Sequence, residues 1–224
     1  MKKILLLISY LLIFITCIRS VDKQKYLEKR LKEVNLEYQQ DIKDTQIPLD
    51  LLDHFPENIG YLPVAREKSY AASNKYITYM LFEYNLPQTT IDSINNLYTN
   101  TALQISGGND PNLIVVKSKL QIELYGKPGA YKTGVVKSYP IPFFESKEFD
   151  NPEDVVTAED IYSTSNPSGL SDNFEIYVLD SKSGNYWEGL KPLDYMPEGL
   201  ENGFSKGICI NKKIGVIIYW VIIW

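Results

Sequence analysis

Residues 215–224, "GVIIYWVIIW", are apolar or aromatic at nine of ten positions. A helix of nine residues rises only about 13 Å against an apolar slab of ~30 Å, so this segment does not cross a bilayer as a helix. As a strand it presents Ile218, Trp220, Ile222 and Trp224 on one side, and Ile217, Tyr219 and Val221 on the other. A strand apolar on both sides belongs in the middle of a sheet covered on both faces. We therefore expect residues 216–224 to be a central strand. The turn "NKKIG" pairs it with "KGICI" as a hairpin.

Other elements follow from the same patterning. Leu27, Leu31, Val34, Tyr38 and Ile42 recur at helical spacing within residues 21–44, with Lys, Glu and Gln elsewhere. This stripe predicts a helix that docks on its own domain, pairs with a partner helix, or serves as a spacer. Pro48, Pro56 and Pro63 break the next stretch into irregular chain, with one helical turn near 50–55. Residues 74–85, rich in Ile, Thr, Tyr and Phe, predict a strand. In "PQTTIDSINNLYTN", Ile91, Ile94, Leu97 and Tyr98 share a helical face and Thr89 or Thr90 serves as the cap.

After the turn "SGGNDPN" the pattern becomes β-rich. "LIVVKSKLQIELYG" predicts one long or two short strands, because Leu120, Ile122 and Leu124 alternate with Gln121 and Glu123. "TGVVKSY" adds another, and "NPEDVVTAEDIY" a short acidic helix. "FEIYVLD", the turn "SKSG" and "NYWEGL" read as a second hairpin. The expected class is α+β: a mostly antiparallel sheet with two or three helices at one face or edge and the C-terminal strand central. Residues 46–224 form a single domain in this reading.

Composition refines this picture. Of the 224 residues 44% are hydrophobic and 23% charged, which suits a globular domain with a sizeable core. Tyr is abundant at 17 copies, as half-buried sheet faces favour. The formal charge is −5 and becomes −7 when a leader carrying Lys2 and Lys3 is removed. Such a domain repels phosphate backbones, and the chain has no strong basic cluster, so nucleic acid is not an expected partner.

The N-terminus "MKKILLLISYLLIFITC" has the parts of an export signal: a basic start at Lys2 and Lys3, then the apolar run of residues 4–15. Cys17 sits where that run stops, and the segment resembles the lipobox of bacterial lipoproteins. In that family the cysteine becomes the lipid-bearing N-terminus of the mature chain. The family pattern has Leu three places before the Cys and Gly, Ala or Ser just before it; here Phe14 and Thr16 hold those places. The resemblance implies a signal peptide over residues 1–16, lipidation at Cys17, and a helical tether over residues 17–45. It also implies anchoring in the cell envelope, on the periplasmic or cell-surface face; plain secretion is the alternative. The later stretch "NGFSKGICINKKIGVIIYW" resembles the ends of uncharacterised exported bacterial proteins, from which no activity carries over.

Candidate chemistry is sparse. Cys209 is the only other cysteine and reads as a small buried hydrophobe. His54 is the only histidine, and its place near Asp53 and Pro56 suggests a helix end where it satisfies carbonyls. No metal site or cofactor is expected, since a histidine-based zinc site needs more ligands than this. Asp150, Glu153, Asp154, Glu159 and Asp160 form a solvated acidic run rather than a facing pair. "SGG" at 106–108 is a turn, not a phosphate loop. The suggestive exposed residues are Tyr186, Trp187, Tyr195 and Phe204, aromatics among Gly, Pro and Asn that suit stacking on a glycan or anchoring a protein partner.

The expected role is a non-enzymatic binding module held to the membrane by an N-terminal lipid. Two alternatives stand beside it. One is an envelope hydrolase that uses carboxylates. The other is a small outer-membrane barrel, whose terminal strand the last residues resemble in Trp224 and the alternate Ile222, Trp220 and Ile218.

Overall fold

The computed structural model describes the backbone of residues 2–69, 76–126, 138–145 and 157–224, with side chains from residue 23 onward. The chain divides into two compact units: residues 1–46 with 58–60, and residues 47–57 with 61–224.

The first unit is built on one helix, α1 (Lys2–Asp44), of which the expected helix over residues 21–44 is the second half. Val34 and Tyr38 on the predicted stripe are buried, whereas Leu27 is 44% exposed. Asn35 holds residue 59 reciprocally. Its amide nitrogen donates to the Ile59 carbonyl at 3.0 Å, and its oxygen accepts from the Ile59 N–H at 2.7 Å. Among the described residues no helix is long and apolar enough to cross a membrane.

The second unit is α+β. Its strands are β1 (Val64–Ser69), β2 (Ile77–Glu83), β3 (Gln104–Gly107), β4 (Ile114–Val116), β5 (Pro140–Pro142), β6 (Glu175–Ser183), β7 (Gly203–Asn211) and β8 (Val216–Ile223). Its helices are α2 (Gln88–Thr99), α3 (Lys119–Tyr125) and α4 (Ala158–Ile161). Six strands form an antiparallel sheet in the order β1-β2-β8-β7-β6-β3, while β4 and β5 pair in parallel. The order begins at β1 and ends at β3, so the sheet is open and the barrel alternative is set aside.

The C-terminal strand is central, between β2 and β7, and residues 216–224 are all buried. Each face of it has its own cover. Trp220 lies edge-on to Phe144 at 6.5 Å within the larger core. On the other face, Tyr219 and Tyr79 flank Phe55, at 5.9 and 5.5 Å. Phe55 belongs to the short turn that follows a 3-10 helix at Leu49–Leu51. Two apolar faces on one strand thus reflect two covering layers.

Several local expectations are corrected. Residues 119–125 are helical, not a strand, because Ser118 and Gln121 make a capping box in which each side chain bonds the other's backbone N–H. Leu120 and Leu124 are exposed on that helix, so their alternation did not mark a sheet face. Helix α2 exists as expected, but neither Thr89 nor Thr90 caps it; Pro87 holds that place without a side-chain bond. Its buried stripe centres on Ile91, and Leu97 is 59% exposed. The hairpin between "FEIYVLD" and "NYWEGL" does not form. β6 runs on through Ser183, and its partner is β7, beyond the loop of residues 184–202. The stretch 64–69, expected to be irregular, is the edge strand β1, and β3 reaches into the "SGG" turn. "TGVVKSY" and the first half of the acidic segment fall largely outside the described residues. Of the latter, α4 is seen, with Thr157 and Asp160 as its capping box.

Candidate functional site

The parallel pair β4–β5 borders a cleft that contains a buried cation. Lys117 follows the carboxyl end of β4, and Phe143 follows the carboxyl end of β5. Side chains at the carboxyl ends of parallel strands converge where backbone layers part, which is where open sheets commonly bind ligands. The cleft has a volume of about 310 Å³ and is lined by Pro111, Leu113, Val115, Tyr125 and Phe143, with Thr164, Ser165, Asn166 and Pro167 completing the wall.

Lys117 is the charged group of this cleft and is only 5% exposed. Its ammonium donates to the carbonyls of Tyr125 and Gly126, at 3.5 and 3.3 Å, and lies 4.6 Å over the Phe143 ring. Burial lowers its pKa from the ordinary lysine value. The backbone here is clamped by a side chain. Tyr195 accepts from the Lys117 N–H at 2.8 Å and donates to the Lys117 carbonyl at 2.6 Å. Asn166 is fixed by its amide, which donates to the Leu170 carbonyl and to Asp172, both at 2.8 Å.

The aromatic residues expected from sequence do not gather on one surface. Tyr195 joins the Lys117 cleft through that clamp. Tyr186 stands edge-on to Phe204, with ring centres 4.6 Å apart, and Phe204 is buried in β7. Trp187 is partly buried in the same loop as Tyr186. Cys17 lies within α1, outside the residues whose side chains are described. Cys209 is buried in β7, where burial pushes its thiol pKa well up and makes it a poor nucleophile.

A second polar cluster surrounds His54. The carbonyls it meets belong to strands, not to a helix end: Nε2 lies 3.1 Å from both the Gly207 and the Trp220 oxygens. Nε2 must therefore carry the proton, which leaves Nδ1 as the lone-pair atom. Lys206 donates to the Asp50 carbonyl and to the Asp53 carboxylate beside it. Burial first, and then the Lys206 charge, pull the imidazole down to about 4 from 6.5.

This shift sets a pH dependence. The unfolded chain binds the proton near pH 6.5 and the folded chain only near 4. The stability from neutral His54 is therefore complete above about 6.5 and declines as pH falls toward 4. At ~1.4 kcal/mol per pH unit, the loss across that window is about 3 kcal/mol. Denaturant unfolding of wild type and His54→Gln at several pH values isolates it. The advantage of wild type should shrink by about that amount between pH 7 and 4. Parallel pH profiles for the two chains would remove the imidazole from the account.

Of the groups in the Lys117 cleft only Tyr195 was singled out from sequence. Lys117 in "VVKSK" has no local mark of burial, because Phe143 and residues 164–167 come from distant segments. The one available signal was Ser118-x-x-Gln121, which places Lys117 at a strand-to-helix junction. No family model, curated protein or solved structure matches the chain. The fold and the cleft together define an α+β domain with an open sheet and a small, mixed apolar and cationic pocket.

Proposed function

We propose that this chain is an exported, lipid-anchored protein of the cell envelope, and that its α+β domain is a non-enzymatic binding module. The observation that carries the binding reading is the Lys117 cleft. Its volume of about 310 Å³ sits at the lower end of the ~300–1,000 Å³ typical of small-molecule sites. Its lining combines the apolar Pro111, Leu113, Val115 and Phe143 with one buried cation and the polar Thr164, Ser165 and Asn166, so polar contacts orient a ligand that also rests on apolar surface. Tyr195, from the loop after β6, ties that loop to the cleft wall. The basic, apolar and cysteine-terminated leader supports the envelope reading, with the membrane engaged through lipid on Cys17.

Cells fed an alkynyl palmitate analogue test the anchoring. Label is expected on the wild-type chain and absent from Cys17→Ala, which should also leave the membrane fraction. An unlabelled wild-type chain recovered from the medium would establish secretion instead. Label that survives Cys17→Ala would place the lipid elsewhere.

A further inference from the structure

We propose that the Lys117 cleft receives the oxyanion of a small organic acid, with the acid's apolar body resting on Leu113, Val115 and Phe143. This rests on the binding-module reading and names the ligand class of that same site.

Lys117 is buried without a counter-charge among the described residues. An ammonium carries three N–H donors and a full positive charge. Here two donors meet the carbonyls of Tyr125 and Gly126 at 3.5 and 3.3 Å, long for charge-assisted bonds, and the ammonium also lies over the Phe143 ring. Dipoles and a ring quadrupole soften the cost of burying the cation, but neither supplies a counter-charge. Among the described residues no carboxylate lies within 4.0 Å of the Lys117 ammonium. Lys206 shows the contrast in the same domain: equally buried, it is paired with Asp53. Buried cations in folded proteins are ordinarily paired, so the missing partner at Lys117 is the group a ligand would bring.

The surroundings fix what carries that anion. Pro111, Leu113, Val115 and Phe143 give an apolar bed, which hydrated inorganic ions do not use. Thr164 and Ser165, exposed on the facing wall, offer hydroxyl donors for a second oxygen. The volume admits a body of about one ring rather than a polymer. The backbone clamp by Tyr195 holds Lys117 in place before any ligand arrives, which reduces the ordering cost of binding.

Carboxylates and phosphate monoesters share this chemistry, and one experiment separates them. Saturation-transfer NMR on the full-length chain in neutral detergent at pH 7 would use benzoate, phenyl phosphate and benzamide as probes. The anionic probes should bind at least about tenfold more tightly than benzamide. That preference should vanish in Lys117→Met and persist in Lys117→Arg, with circular dichroism confirming that each chain is folded. Should Lys117→Met fail to fold, Lys117→Gln against Lys117→Arg carries the same comparison. Phenyl phosphate ahead of benzoate assigns a phosphate ester, and the reverse assigns a carboxylate. Benzamide binding as well as benzoate, with Lys117→Met unchanged, overturns the anion assignment and leaves the binding module standing. No transfer to any probe, charged or neutral, overturns both.

Discussion

Removal of residues 216–224 should leave a chain with no cooperative unfolding transition. β8 lies between β2 and β7, so its loss strips hydrogen-bond partners from Ile77–Glu83 on one side and from residues 204–211 on the other. Both neighbours would become edges in what had been the middle of the sheet, each exposing residues that are buried at every position. The side chains lost are also among the best buried of the described residues. Ile217, Ile218, Val221, Ile222 and Ile223 are all fully buried. At ~1.5–3 kcal/mol for each, these aliphatics alone contribute on the order of 10 kcal/mol. A domain has a net stability of only about 5–15 kcal/mol. Far-UV circular dichroism with a thermal melt provides the test. A soluble truncated chain that melts in one sharp transition would mean that the sheet does not depend on its central strand.

That strand was also the most legible part of the fold, and for the same reason. A run apolar on both faces has few homes, and Gly215 with the preceding "NKKI" marks the turn that returns it to β7. β2 could likewise be read, since its β-branched and aromatic content matches a strand buried at every position. Helix α3 departs from the expected strand because Leu120 and Leu124 of the period-two alternation face water and Ile122 is only half-buried, whereas the buried residue is the polar Gln121. Gln121 is buried because it caps its own helix and also bonds Tyr76 and Glu145, which lie far along the chain. The pairing of β6 failed for a related reason. A turn-like "SKSG" suggests a local partner, yet the strand gains more by pairing with the wholly buried β7. Patterning thus reported which segments are buried on two sides. It did not report which distant segments meet, and the Lys117 cleft and the His54 cluster are both made of such meetings.

Gly207→Val should destabilise the domain by about 4 kcal/mol or more, the range reached only by a few identifiable mechanisms. The mechanism here is a collision with backbone. A Cβ at position 207 would stand 2.0 Å from the Tyr177 carbonyl oxygen and 2.6 Å from Cζ2 of Trp220. The carbonyl belongs to the adjacent strand β6 and cannot turn aside without breaking the ladder next to the register shift between Val178 and Asp180. The indole is equally constrained, because Trp220 is fully buried and packed edge-on against Phe144. Gly203 makes the same allowance for Trp224, where a Cβ would meet its ring at 2.9 Å. Glycines on β7 therefore make room for Trp220 of β8 and for Trp224 just past its end, and large residues opposite small ones let the layers close. The Gly207 carbonyl is also one of the two that His54 holds, so any shift of this strand disturbs the opposite face as well. Gly60→Ala is the matching control. It has ordinary backbone geometry with nothing within 4 Å of an added methyl, so it should be neutral or stabilising by about 0.4–1 kcal/mol. Urea midpoints for the two variants decide the matter: similar small changes would show that the tryptophans repack freely, and a collapse confined to Gly207→Val would show that they do not.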